Sequence, residues 1–272
     1  MGQGLGIQLG LGGGRSATSS GAPSGGGSIE NLYSFDFDGS DEYVALGELS
    51  YLNSASVFSF SFWYNADSLG GCMFGTTTAL SKAIFFQAYT DNNLYAVASN
   101  GSNSWLVGAV PVDDRTGAWN HVAFCFDGPY DSGNGSLLYF NGSLIPSLTE
   151  NRPLPTAMAS DVADDCRIGT WDTTEFNGHV DEVAIFNYKL SASDVAIIAG
   201  SSPALPSGEK GTVDLNAQSF TRPLHWWRMG DGATWGDVGG TDKWTIPDVG
   251  SAASNNGLSA NMEEGDRVED VP

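Results

Sequence analysis

Residues 57–66 read VFSFSFWYNA: Phe58, Phe60, Phe62 and Tyr64 alternate with Ser59, Ser61 and Trp63. A period of two cannot form an apolar stripe on a helix, but it does form one face of a β-strand. This stretch is therefore expected to be a half-buried strand. Similar text recurs along the chain. AIFFQAYTDNNLYAVAS (83–99) reads as two strands around a polar turn, and WNHVAFCFDG (119–128) places Val122, Phe124 and Phe126 on one face. In SLLYFNGSLIPS (136–147), Asn141-Gly142 suits the positive φ angles of a tight hairpin turn. CRIGTW and GHVDEVAIFNY continue the pattern. Only 191–200 has helical chemistry, with Ser191 as N-cap, Asp194 in the first turn and Gly200 as the stop. Many short strands at turn-rich spacing predict an all-β antiparallel sandwich with one short helix.

Three segments are expected. Residues 1–28 form an extended Gly-rich arm with eleven glycines, no acid and one Arg, in which Leu5, Ile7, Leu9 and Leu11 share one strand face. Ordering glycines is entropically expensive, so this arm is expected to dock on another protein as a strand added to its edge. Leu5, Ile7, Leu9 and Leu11 would make that contact. Residues 29–200 carry the sandwich. Residues 201–272 begin with a Pro/Gly/Ser linker and then supply another apolar strand around LHWWRM.

The net charge of −21 excludes a chain that grips nucleic acid through phosphate neutralisation and argues against an anionic membrane surface. No run approaches the ~18 apolar residues of a membrane span. No basic stretch followed by an apolar core opens the chain, so no secretory leader is expected. Cys72, Cys125 and Cys166 give neither a disulfide framework nor zinc spacing, and read as buried small hydrophobes.

Several motifs in order carry a family likeness: FDFDGSDEYVALG, FSFSFWYNA, WNHVAFCFDG, LLYFNG, IGTW and FNGHVDEVAIFNYKLSASDV. Over about residues 32–200 the chain resembles the laminin-G-like, concanavalin A-like jelly-roll domains. The tail, WWRMGDGATW through to the end, resembles the segment that opens such domains in virion proteins of tailed, often marine, phages. Here it comes last, so Leu224–Met229 is expected to pack onto the sandwich as a permuted opening strand. The resemblance implies a non-enzymatic virion structural protein, a capsid decoration, head-fibre or tail-associated part. It would be made in the host cytoplasm, sit on the virion surface as a homo-oligomer and touch other virion proteins through the arm. One alternative is a carbohydrate-binding receptor module of a tail fibre that meets host surface glycans; a second is a glycan hydrolase.

The chemistry-bearing residues sort as follows. Asp181 and Glu182 are neighbours on a strand and should face opposite ways, so they cannot work as a glycosidase pair, which needs two carboxyl groups on one face. The resemblance implies that one accepts loop hydrogen bonds or binds calcium while the other is solvated. The hydrolase spacing E-x-D-x-x-E occurs as Glu264, Asp266 and Glu269, in a turn-like acidic tail. No cofactor is required. Calcium suits the oxygen-rich DFDGSDE turn, with Asp38 and Asp181 as candidate ligands. Trp226, Trp227 and Trp235 are expected in the core or its seam, and Trp105, Trp171 and Trp235 are the glycan-stacking candidates. His121, His179 and His225 lie in strand patterns without a nucleophile's context.

Overall fold

The computed structural model describes residues 27–76, 80–91, 93–102, 104–110, 115–131, 134–163, 165–201, 211–252 and 254–272, with Ser81 as backbone only. Two antiparallel sheets face each other across an aromatic core. The first has eight strands. Its order is β10 (Ser143–Leu144), β9 (Leu137–Phe140), β8 (Asn120–Phe126), β3 (Phe58–Ala66), β15 (Asn177–Phe186), β1 (Ser34–Asp38) and β20 (Arg267–Val268), with β16 (His225–Trp227) also on β15. The second has ten, in the order β11 (Leu148–Glu150), β7 (Trp105–Ala109), β6 (Asn93–Ala98), β5 (Ile84–Ala88), β4 (Cys72–Thr76), β12 (Cys166–Ile168), β2 (Tyr43–Gly47), β19 (Gly257–Ala260), β18 (Asp242–Ile246) and β17 (Thr234–Asp237). A two-stranded ribbon of β13 (Thr170–Trp171) and β14 (Thr174–Glu175) completes the strands. This is the jelly-roll β-sandwich that the alternating text predicts.

The core forms where the alternating faces meet. Phe60 of β3 reaches across to Phe74 and Phe86 of the second sheet, with ring centroids 4.6 and 5.1 Å apart. Asn141 and Gly142 take φ values of +48° and +78° in the β9–β10 hairpin, as the Asn-Gly pair requires. The helix α1 (Ala192–Ile198) is closed by a capping box between Ser191 and Asp194. The three cysteines are buried thiols. No helix among the described residues is long and apolar enough to cross a membrane.

One expectation fails instructively. β3 is not half-buried, because Ser59, Ser61 and Trp63 are as enclosed as its phenylalanines. A third layer covers that outer face: Trp63 shares a cavity of only about 10 Å³ with Ile198 of α1, Val213 and Leu215. The hydroxyls are absorbed locally, Ser59 donating to the Tyr188 carbonyl at 2.9 Å and accepting from the Leu190 amide at 3.0 Å. Ser61 pairs with His121 at 2.8 Å.

The C-terminal segment is woven into both sheets. β15 pairs with β3 along one edge and, along the other, with two strands in succession: β1 at Asn177–Val180 and β16 at Val183–Ile185. β19 lies against β2 and extends the second sheet toward β18 and β17. Trp226 and Trp227 are enclosed, and the Trp227 indole donates to the Asn255 carbonyl at 2.8 Å. Large-to-small truncation of such a residue costs about 3–5 kcal/mol. Trp227→Ala is therefore expected to destabilise the whole body in one cooperative denaturant transition. A second transition, with the variant shifting only one of the two, would show a separately folding tail.

Candidate functional site

Two constellations carry chemistry. The first lies inside, at the point on β15 where β1 gives way to β16. Residues 182 and 183 together oppose Phe62, a bulge that shifts the register between Asp181 and Ala184. Glu182 takes φ +50°, a left-handed conformation that costs a side-chain-bearing residue energy. Burial overturns the expectation that one of the carboxylates is solvated. Asp181 is 0% exposed and Glu182 6%. Asp181 accepts from the Asn31 amide and from the backbone N–H of Glu182, both at 2.8 Å. Glu182 accepts from the Trp226 indole at 2.6 Å and from Arg228 Nε at 3.0 Å. Arg228 also reaches Asp231 at 3.2 Å, and Asp231 accepts from the Leu32 amide at 3.1 Å.

This cluster has three acids, Asp181, Glu182 and Asp231, and one nearby guanidinium, so charge is short of a partner. Burial, and then the charge of Glu182, push the Asp181 carboxyl well above the usual carboxylate range. Burial also raises Glu182, to about 7, against the opposing pull of Arg228 and the Trp226 indole. Asp181 therefore holds the proton. Asn31 Oδ1, buried without a partner, can accept it if that amide turns over. The cluster ties the N-terminal entry strand to the C-terminal strand, and among the described residues Glu182 lines a cavity of only about 10 Å³.

The second constellation is on the outer face of the ten-stranded sheet. Core-facing Ile84, Phe86, Leu94, Ala96 and Leu106 leave Phe85, Gln87, Tyr95, Val97 and Trp105 on the other side. Registers bring Gly75, Phe85, Val97 and Trp105 into one row across β4–β7, and pair Gln87 with Tyr95. Trp171 of β13 lies over Gly75 and stacks on Phe85, centroids 4.4 Å apart and planes 22° from parallel. A Cβ on Gly75 would stand 2.6 Å from that of Trp171, so only glycine lets the indole settle there. Tyr95 packs edge-on to Trp105 and to Tyr89, which is 45% exposed. Together with Leu80 they line a cavity of about 360 Å³. Among the described residues that line it there is no carboxylate and no cation.

The structure thus unites two of the three tryptophans proposed for sugar stacking. Trp235 stands apart, on β17 at the opposite end of the sheet from β7, against Trp244 at 5.5 Å. Tyr89, Tyr95, Phe85 and Gln87 complete the groove and were not singled out in the sequence, where they read as ordinary strand residues. Asp38 and Asp181 do not converge on a shared ion. Asp38 is opposite Asn177, four positions from Asp181 along β15 (177 to 181), or roughly 13 Å at strand rise. Asp38 instead caps a turn, accepting from Ser40 N–H at 2.7 Å, and no metal-binding group of three or more His, Cys, Asp or Glu occurs among the described residues. Glu264 and Asp266 lie in an exposed single turn before β20, not on a strand, and belong to the sheet opposite the groove. His121 is buried and neutral, held down to about 3 by desolvation. Leu5, Ile7, Leu9 and Leu11 lie outside the described residues.

Residues 38–196 match the family described as the concanavalin A-like lectin/glucanases superfamily. The chain belongs to this superfamily. No curated protein matches it. Among solved structures, a putative carbohydrate binding protein from Bacteroides ovatus is similar at 15% identity and TM-score 0.51, over 86% of this chain and 60% of that one. A heptameric SAP-like pentraxin from Limulus polyphemus is similar at 14% identity and TM-score 0.46, over 66% of this chain and 90% of that one. Mouse laminin α1 domains LG4-5 match at 9% identity and TM-score 0.44, over 88% and 80%. At such identities these likenesses concern the superfamily fold alone.

The raised carboxyls set a pH dependence. An acid whose folded pKa is raised binds its proton more readily in the folded state. Its contribution to stability is complete below its unfolded value near 4.5 and is lost as pH climbs through about 7. Unfolding free energy is expected to fall between pH 5 and 7, by up to about 1.4 kcal/mol per pH unit per proton. Asp181→Asn, which mimics the protonated acid, should flatten that fall and stabilise the protein at pH 8. Urea titrations across this range check it, and an unchanged slope in the variant would contradict the assignment.

Proposed function

We propose that this chain is a non-enzymatic carbohydrate-binding domain that takes a short saccharide in the groove between Trp105 and Trp171. The observation that carries this is the convergence of Trp171, Phe85, Tyr95, Tyr89 and Trp105 on a face turned away from the core. Over a buried Phe85, the partly exposed Tyr95, Trp105 and Trp171 and the 45% exposed Tyr89 present aromatic area to solvent, which invites a partner with a flat apolar face. A pyranose ring offers such a face and carries hydroxyls at its edge for Gln87, Tyr89 and Tyr95. The cavity of about 360 Å³ is at the small end of the roughly 300–1,000 Å³ of small-molecule sites. Membership in a superfamily of lectins and glucanases supports the ligand class. The non-enzymatic reading draws on the groove's uncharged lining, since glycoside hydrolysis uses two carboxyl groups flanking the scissile bond.

The wider setting of this binding domain is a particle surface. The resemblance of the tail to virion proteins and the alternating Leu5, Ile7, Leu9 and Leu11 of the glycine arm support a body anchored to neighbouring virion proteins. In that setting the groove would meet host glycans.

Glycan-array screening followed by calorimetry tests the binding reading. Trp105→Ala and Trp171→Ala are each expected to cost about 2 kcal/mol or more of binding, roughly 30-fold, as truncated aromatic hot spots do. Their unfolding midpoints should stay near that of the parent. Binding unaffected by both substitutions would defeat the proposal. Deleting residues 1–28 should leave glycan binding intact and abolish incorporation into particles, and normal incorporation would remove the anchoring role.

A further inference from the structure

The groove's electrostatics narrow its ligand further. We infer, on the basis of the carbohydrate-binding reading above, that the groove selects uncharged saccharides and rejects uronate- and sulfate-bearing ones. Recognition of a sugar carboxylate or sulfate inside a partly dry groove requires a cation or a set of directed donors, because the anion gives up hydration on entering. None of the described lining side chains can carry positive charge: Leu80, Phe85, Gln87, Tyr89, Tyr95, Val97, Trp105 and Trp171 are apolar or neutral. The sequence from 83 to 114, which spans β5, β6 and β7 with their connections, holds no Lys or Arg.

Three of the cations around this stretch are already committed, and Arg152, exposed just past the Asn151 that holds the Trp105 amide, is not among the lining side chains. Lys82 is paired with Asp161 at 2.9 Å. Arg167 is held by Asp165 at 2.8 Å and lies over the Tyr43 ring at 4.3 Å. Arg115 is buried and donates to the backbone carbonyls of Tyr89 and Asn93, so its charge is used beneath the groove and not within it. At the rim, Tyr95 donates its hydroxyl to the Asp91 carboxylate at 2.6 Å, which places a negative charge beside the entrance. With a chain charge of −21, the long-range field also opposes an incoming polyanion. The polar groups that remain, the Gln87 amide and two phenols, suit hydroxyls.

Two effects are thus superimposed and can be separated. Long-range repulsion is screened by salt, while the lack of a local partner for a buried anion is not. The test uses the full chain and a panel in which each neutral glycan has an acidic counterpart: a β-glucan, a xylan and a mannan against polygalacturonate, hyaluronan and heparin. Binding is measured at about 50 mM and about 500 mM sodium chloride, on either side of the screening length of a typical buffer. The expected result is at least one neutral glycan bound with an affinity that changes less than twofold with salt. Every acidic glycan should bind at least tenfold more weakly at both salt concentrations. An acidic glycan bound within tenfold of the best neutral one, and lost in Trp105→Ala, would overturn the selectivity while leaving the groove a sugar site. If no glycan of either kind binds, both the selectivity and the carbohydrate reading fall.

Discussion

The body is organised around one strand with two successive partners. β15 is bordered on one edge by β3, but on the other it must accept β1 for half its length and β16 for the rest. These partners come from opposite ends of the chain, and a continuous ladder cannot serve both without a change of course. The left-handed bulge at Glu182 makes that change. Beside it two carboxylates lie in the interior, where Asn31, Trp226 and Arg228 hold them. A buried ion pair is weak evidence of stability, because the desolvation penalty offsets most of the attraction. Its value here is in registry: Asn31 precedes β1 and Arg228 follows β16, so a single cluster fixes both arrivals.

The same plan separates the two kinds of chemistry in the molecule. The perturbed carboxylate pair Asp181 and Glu182 is walled inside the eight-stranded sheet and its covering layer. The open aromatic surface is on the far side of the ten-stranded sheet and is electrically neutral in its lining. Membership of a superfamily that includes glucanases does not by itself distinguish binding from hydrolysis. The placement does bear on it, since the carboxylate pair and the open groove lie on different sheets.

Much of this was legible in the sequence. Period-two alternation gave the strands, Asn141-Gly142 the hairpin, and Ser191 with Asp194 the helix start, because each depends on neighbours a few residues away. What stayed hidden depends on distant segments. Trp63 reads as part of a solvent face because nothing nearby announces that Ile198, Val213 and Leu215 will come to lie beside it. One of Asp181 and Glu182 reads as solvated because the groups that hold them, Asn31, Trp226 and Arg228, are far away along the chain. The groove was half visible: tryptophans stand out singly, but the alignment of Phe85, Val97 and Trp105 in one row is a property of register. Gly75 gave no signal at all, since its role is the space it leaves for Trp171.

The split edge of β15 also bears on biosynthesis. Ile185 leaves the ribosome forty residues before its partner His225 (185 to 225), a delay of roughly 2 to 8 s at about 5–20 residues per second. During that interval the best-formed strand of the nascent domain presents bare amides and carbonyls beside a run of Val, Ala, Ile and Phe. An exposed edge of this kind pairs readily with other chains. Crowded polysomes, or a stalled ribosome short of residue 225, are the circumstances in which this protein is most exposed to aggregation.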